Sequence, residues 1–463
     1  MRVGLFVILL CHVFMYGIRS VAQDLGAGDA SLAMKNAQEM PGMNRSGMTQ
    51  EGGQPNTEMK CARGMDSTSL IPQIEDHAIS GTDVEPNSTP RPMMMTMYHG
   101  WMLMLHGEGF LSDIQQSGPR GADKLFSTNW VMPMAQRRLG GGKLTLRAML
   151  SLEPATVTDR RYPELFQEGE TAYGLPIVDG QHPHNFVMEL AGIYDYPVGD
   201  RGLLSFYAAP VGDPVLGPPA FPHRASAEED PIAPLGHHLQ DSTHIAYDVV
   251  TFGATYRGLK LEASGFHGRE PGEDRWEIDQ GGIDQEKIDS WATRATVNPA
   301  ENWSIQYSIG ELHAPEALFP AEDIRRMTGS LMYNRPLRRG NWSSLLLWGR
   351  NQSLLDGNIG NGYLLESTLQ FWQKNFVWTR IENVDRTNEL RIGENPLPPG
   401  FVERYFARVQ GYTAGYDHGL GNIPHLATAI GGQLTWYGVP DALRPTYGAH
   451  PFGAILFLRL RTF

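Results

Sequence analysis

The sequence is poor in cysteine, in positive charge and in long apolar runs. Only 2 cysteines occur among 463 residues. Cys11 lies in an apolar N-terminal segment, so Cys61 would be alone in the mature chain and no intrachain disulfide is expected. The formal net charge of -13 makes the chain a poor partner for nucleic acid. After the N-terminus no stretch approaches the run of about 18 apolar residues that a transmembrane helix needs, and the mean hydropathy of -0.32 excludes a helical membrane bundle.

Residues 1–22 have the pattern of a secretory signal peptide. Arg2 supplies positive charge, the segment GLFVILLCHVFMYG is apolar, and small residues up to Ala22 precede the expected cleavage site. The protein is therefore expected to be exported.

Residues 23–95 predict a disordered arm. They are rich in Gly, Ser, Asn, Pro, Asp and Glu and have almost no aromatic residues. The segment MPGMNRSGM places the thioethers of Met40, Met43 and Met48 on this arm. Thioether clusters select Cu(I), so these three methionines are candidate metal ligands.

Residues 96–463 alternate apolar and polar residues with period two, which is the pattern of β-strands. In KLTLRAMLSLE, for example, leucines alternate with Lys143, Thr145 and Arg147. Short turns and long polar loops alternate between the candidate strands. The 16 predicted strands start near residues 97, 125, 143, 184, 202, 242, 258, 287, 303, 324, 341, 361, 376, 402, 424 and 450.

This pattern favours an all-β fold, an antiparallel transmembrane β-barrel of about 16 strands. A sheet in lipid must close because lipid offers no hydrogen-bond partners, and bacterial barrels combine an even strand number with short turns and long outer loops. The alternative is a soluble sandwich or propeller, but the sequence lacks the repeat of about 40 to 50 residues that a propeller needs. Aromatic residues suited to interfacial girdles are Trp101, Trp130, Tyr207, Trp303, Trp342, Trp378, Tyr405, Trp436 and Tyr437.

The C-terminal segment AILFLRLRTF resembles the last strand of Gram-negative outer-membrane barrels, which ends in an aromatic residue. Phe463, Phe457 and Ile455 fit that pattern, whereas Arg459 and Arg461 depart from it and leave the register of the strand open. The resemblance implies an outer-membrane, porin-like protein that passes or binds a small solute. Outer-membrane lipid and the barrel-assembly machinery are the implied partners, and an oligomer is compatible with the size of the chain.

Charged residues on the polar strand faces are expected to point into the barrel lumen. They would either stiffen the interior as a charge ladder or line a selective pore. The long, Pro-rich loop 213–241 is a candidate for an inward-folded constriction. The predicted lumen-lining residues are Arg147, Glu153, Glu262, Arg350, Glu366, Arg380, Glu382 and Arg408.

Histidines and methionines of the barrel region form a second set of candidate metal ligands. Histidines concentrate in the loops GQHPHN and GHHLQDSTH, which only one strand pair separates, so the loops could meet at one rim. In the first strand, methionines and a histidine alternate on the lumen face. Imidazoles suit Zn(II) and Cu(II), and thioethers suit Cu(I). These candidates are Met102, Met104, His106, His182, His184, His237, His238 and His244.

A Met-rich arm before a barrel resembles the layout of outer-membrane copper-resistance proteins, although the dense Met-His repeats of that family are missing. The resemblance implies copper as the bound metal, and no other cofactor is predicted. A rim hydrolase built on Asp241, Ser242 and His244 is a third option, since an oriented histidine can activate a nucleophile. With no Walker loop, HExxH motif or paired CxxC in the sequence, the chain is expected not to be an enzyme.

Overall fold

The computed structural model describes residues 67–278 and 288–462. The strands within these ranges are β1 (Met94–Tyr98), β2 (Trp101–Gln116), β3 (Asp123–Leu139), β4 (Gly142–Leu150), β5 (Tyr162–Ala172), β6 (Leu175–Gln181), β7 (Val187–Val198), β8 (Gly202–Gly212), β9 (Ala246–Tyr256), β10 (Leu259–His267), β11 (Ser290–Ala300), β12 (Trp303–Leu312), β13 (Ile324–Leu337), β14 (Gly340–Ser353), β15 (Ile359–Phe371), β16 (Asn375–Thr387), β17 (Tyr405–Ile423), β18 (Leu426–Gly438) and β19 (Phe452–Thr462). Short helices are α1 (Ile71–Asp76), α2 (Glu153–Thr156), α3 (His237–Gln240), α4 (Glu389–Ile392) and α5 (Arg444–Tyr447). Over the same ranges, no helix is both long enough and apolar enough to cross a bilayer.

A closed antiparallel barrel of 16 strands dominates the fold. It runs from β2 to β4 and from β7 to β19, and it closes where β19 pairs with β2, with Ile455 opposite Ile114. Closure pairs both edges of the sheet, so the backbone can satisfy its hydrogen bonds without water. Strands β5 and β6 form a separate hairpin, and β1 pairs with the start of β2.

The predicted barrel is confirmed strand by strand. Each of the 16 predicted starts lies within four residues of the start of a barrel strand. Turns such as 140–141 and 257–258 are short, and we call this the short-turn end. Loops such as 151–186 and 213–245 are long and define the long-loop end.

The barrel wall is apolar outside and polar inside, the reverse of a soluble protein. In β4, Leu146 is exposed on the outer wall while Arg147 is buried inside. The same alternation exposes apolar side chains on most strands, among them Leu111, Leu204, Phe252, Leu261, Ile305, Leu346, Ile430 and Leu458. A closed sheet with this distribution is a transmembrane barrel.

The last strand takes the register that its leucines favour. Leu456, Leu458 and Leu460 face outward, and Arg459 and Arg461 face the interior. Arg461 pairs there with Glu108 at 2.6 Å, which explains two arginines where the barrel pattern expects apolar residues. Phe463 lies outside the described residues.

The predicted aromatic girdles are only partly correct. Trp303, Trp342 and Trp436 are exposed on the outer wall. In contrast, Tyr207, Trp378 and Tyr437 are buried because strand parity turns them inward, where they help to fill the interior.

Three segments fill the barrel interior. The entry segment, residues 67–93, comes in at the short-turn end, where the Leu70 amide donates to the Arg257 carbonyl. The plug loop, residues 213–245, is buried along almost its whole length, so the predicted inward fold of 213–241 is confirmed. The β5–β6 hairpin contributes Leu165 and Phe166 to an apolar cluster shared with the plug loop.

The arm ends earlier than the predicted boundary at residue 95. Residues 67–93 contain α1, and Leu70 and Ile74 are buried against the barrel. Their polar composition suggested disorder, but the polar groups hydrogen-bond to a polar interior instead of to water. The signal segment 1–22 and residues 23–66, with Met40, Met43, Met48 and Cys61, lie outside the described residues.

Candidate functional site

The interior charges near the short-turn end hold the entry segment. Arg147 donates to the carbonyls of His77 and Ile79 at 3.1 and 2.6 Å and pairs with Glu189 at 2.7 Å. Glu262 accepts a 2.5 Å hydrogen bond from the Thr82 hydroxyl. Both wall residues are buried, so they act here as anchors.

A second network holds the plug loop. Arg224 of the loop forms a 3.0 Å ion pair with Glu366 of the wall and a closer pair with Asp241 of the loop itself. Arg380 of the wall pairs with Asp230 of the loop at 3.1 Å. Paired, hydrogen-bonded charges are the form in which ions are tolerated in a dry interior.

Two further predicted lumen residues accept hydrogen bonds from inserted segments. Glu382 accepts from the Gly236 amide of the plug loop at 3.3 Å. Glu153, at the start of α2, accepts from the His184 amide at 2.7 Å and contacts its ring at Nδ1 at 3.0 Å. The charge-ladder alternative therefore describes these carboxylates better than a pore lining does.

Arg350 and Arg408 do not line the lumen, and this part of the prediction is wrong. On β14 the inward positions are odd-numbered, so Arg350 faces outward and donates to Asn361 at 2.9 Å. On β17 the neighbour Val409 is buried, and Arg408 pairs outside the barrel with Asp385 at 2.7 Å. Both arginines lie near the long-loop end of their strands.

The five loop histidines predicted as metal ligands come together in the interior. Adjacent rings are in contact along the whole set, and the two loops that carry them meet inside the barrel, whereas the sequence suggested a meeting at one rim. The centroid distances are 5.7 Å for His182–His238, 5.3 Å for His238–His237, 5.3 Å for His237–His244 and 5.4 Å for His244–His184. We call this set the imidazole chain.

The rings of the imidazole chain are oriented through Nδ1. His237 Nδ1 bonds to Asp241 at 2.7 Å, and His244 Nδ1 bonds to the Asp241 carbonyl at 2.9 Å. His184 is held in the same way by Glu153. The Nε2 atoms of His238 and His244 are buried and have no hydrogen-bond partner among the described residues. This is how proteins present imidazoles to a metal, with the second ring nitrogen fixed by a carboxylate or carbonyl.

Burial keeps His237 and His244 uncharged. It lowers the pKa of His237 to about 4, although Asp241 opposes this effect, and it holds the pKa of His244 well below the usual value. Burial would raise the pKa of Asp241, but Arg224 and His237 hold it below its ordinary value. A neutral imidazole beside an ionised carboxylate is the protonation state that metal ligation requires.

The remaining predicted ligands lie in a cluster of sulfur side chains that sequence reasoning mostly missed. Met104, Met132, Met134, Met149 and Met188 are buried together on four wall strands. Met93 and Met102 pack against them, and His106 lies beside Met132 in the β2–β3 register. The repeated alternation of MLMLH in β2 and VMPM in β3 was the available signal. We call the seven methionines, without His106, the methionine cluster.

The triad proposed for a hydrolase does not assemble. The Ser242 hydroxyl accepts a hydrogen bond from Arg326 at 2.8 Å. Asp241 is engaged by Arg224 and His237, and His244 bonds to the Asp241 carbonyl. A serine nucleophile needs a hydrogen bond to its base, and the contacts described here direct each group elsewhere.

No ready-made site for a hard or borderline ion is present in residues 67–278 and 288–462. Within them, no three side chains of histidine, cysteine, aspartate or glutamate are positioned to share one metal ion. A metal ion bound along the imidazole chain would have two imidazoles as ligands at a time, or would gain a third after a neighbouring ring rotates. The thioethers of the methionine cluster are sulfur donors, which suit soft ions.

Comparisons with known proteins return porin-like barrels. The sequence matches no family model and no curated protein. Among solved structures, the anion-selective porin from Comamonas acidovorans shares 13% identity and a TM-score of 0.45, covering 78% of this chain and 99% of that one. OprB of Pseudomonas putida shares 10% identity and a TM-score of 0.49, covering 78% and 94%. OmpF of Salmonella typhi, in complex with daunomycin, shares 8% identity and a TM-score of 0.45, covering 80% and 100%. The class of the chain, a transmembrane β-barrel, is therefore established by its own closed sheet, with an apolar outer wall and a polar interior.

Proposed function

We propose that the chain is an outer-membrane protein of a Gram-negative bacterium whose filled barrel binds a transition-metal cation and passes it along the imidazole chain. The observation that carries the proposal is the continuous contact of five histidines in the interior. Two of them have unpartnered, buried Nε2 atoms among the described residues. The two ends of the chain, His182 and His184, keep about a tenth of their side-chain surface exposed, which gives a cation access.

Free diffusion of larger solutes is a poorer interpretation. A barrel of 16 strands can leave an aqueous channel, but here the entry segment, the plug loop and the β5–β6 hairpin occupy it. Two cavities beside the plug loop have volumes of about 60 and 30 Å³. A water molecule takes about 30 Å³ of liquid, so such cavities suit an ion and not a sugar.

The test is metal binding by the full-length, folded protein in detergent. We expect binding of Zn(II) that weakens at least about tenfold in the double variant His237→Gln/His244→Gln, since loss even of groups supporting a ligand costs about 10- to 100-fold. His418→Gln, on an exposed strand position, is the matched control and should bind as the parent does. Equal Zn(II) affinity in all three proteins would overturn the proposal.

A further inference from the structure

The methionine cluster contacts a further interior histidine, which is not part of the imidazole chain. His223 of the plug loop directs Nε2 at the Met149 sulfur, 3.3 Å away. Both side chains are buried. An imidazole nitrogen and a thioether sulfur at this separation can both contact one ion placed beside them.

A third donor faces the same space. His106 of β2 has a ring centroid 6.2 Å from that of His223, and its buried Nε2 has no hydrogen-bond partner among the described residues. Both rings line the cavity of about 60 Å³. The Trp130 ring centroid lies 4.5 Å from that of His223 and 5.0 Å from that of His106, so Trp130 closes one side of this space.

Beyond His223 and His106, the neighbouring potential metal donors are sulfur atoms. Met132, Met134 and Met104 continue the cluster along β3 and β2, and the partly buried Met102 and Met93 pack against it. Met93 lies on the entry segment, and Met102 starts β2 at the short-turn end. The interior therefore changes from imidazoles near the long loops to thioethers toward the short turns.

From this arrangement we infer a site for a soft monovalent cation, of the Cu(I) class, formed by Met149, His223 and His106 and continued by the methionine cluster. Its donors are one thioether and two imidazoles, and thioethers select soft ions such as Cu(I) over Zn(II). Trp130 limits water, which favours an ion of low charge in this site. The inference rests on the proposed function, because it names the class of cation that the interior passes on.

The experiment uses the full-length folded protein with Ag(I) as a redox-inert soft probe and Cu(I) under reducing conditions. Met149→Leu removes the sulfur and nearly keeps the volume, a change that protein cores usually tolerate. Met332→Leu is the matched control, since Met332 is also buried on the inner wall but lies in a separate cluster with Leu345 and Leu347. We expect Ag(I) affinity to fall at least tenfold in Met149→Leu and to be unchanged in Met332→Leu. X-ray absorption should show both sulfur and nitrogen ligands to Cu(I) in the parent.

The outcomes separate this inference from the proposed function. Equal Ag(I) affinity in Met149→Leu and the parent would overturn the site, even if Zn(II) binding still depends on His237 and His244. Loss of Ag(I) binding in Met149→Leu, with Zn(II) binding indifferent to the histidines, would support the site and refute the imidazole chain. Ligation of Cu(I) by nitrogen alone would also refute the site.

Discussion

At the scale of single residues, burial decides what each charged group does. The same residue type serves inside as an anchor and outside as a surface group. Arg224 is fully buried between Glu366 and Asp241. Arg325, in contrast, pairs with Glu311 at 2.6 Å, and each of these two side chains is about a third exposed or more. For arginines on the wall strands, parity separates the two environments, and it explains why Arg350 and Arg408 were misplaced.

Arg224→Ala should destabilise the folded barrel by about 3–5 kcal/mol, because it removes the arginine from the buried Asp241 and leaves Glu366 with Arg380 alone. Arg325→Ala should cost at most about 1 kcal/mol, since its ion pair is largely solvated. Urea unfolding in detergent, followed by the mobility of unboiled protein on a gel, measures the difference. Equal costs for the two variants would show that the plug network does not hold the loop.

At the scale of elements, the wall could be predicted from the sequence and the filling could not. Period-two alternation is a local signal, so all 16 wall strands were found. The entry segment and the β5–β6 hairpin pack against polar partners that are distant in the chain, and no local pattern marks such burial. The imidazole chain could be predicted in part, because the two loops that carry its histidines flank a single strand pair. The cluster around Met149 needed the register of four strands to be seen.

Replacing residues 216–240 with a short Gly-Ser linker, in a chain that also lacks 67–92, should open the lumen. A barrel of 16 strands can hold an aqueous channel, and this variant keeps only the β5–β6 hairpin of the three filling segments, so we expect large single-channel conductance from it. The parent should show almost none. Shortening the exposed loop 395–399 is the control and should leave the parent behaviour intact. Porin-like conductance in the parent would contradict the filled interior.

At the scale of the whole molecule, the barrel is an inside-out protein whose lumen is folded like a core. Its charges hold the inserted segments, and its imidazoles and thioethers form two separate groups of potential metal donors in the interior. Under the proposed function, a metal cation would move through the interior by exchanging one set of ligands for the next.

Flux through proteoliposomes tests the central claim most directly. Vesicles containing the full-length protein and an internal metal-sensitive dye should report entry of Zn(II) or Cu(I), whereas an osmotic gradient of a simple sugar should cause no swelling. His237→Gln/His244→Gln vesicles should lose the metal signal. Sugar-driven swelling with the parent protein, or metal entry that the histidine variant leaves unchanged, would contradict the account.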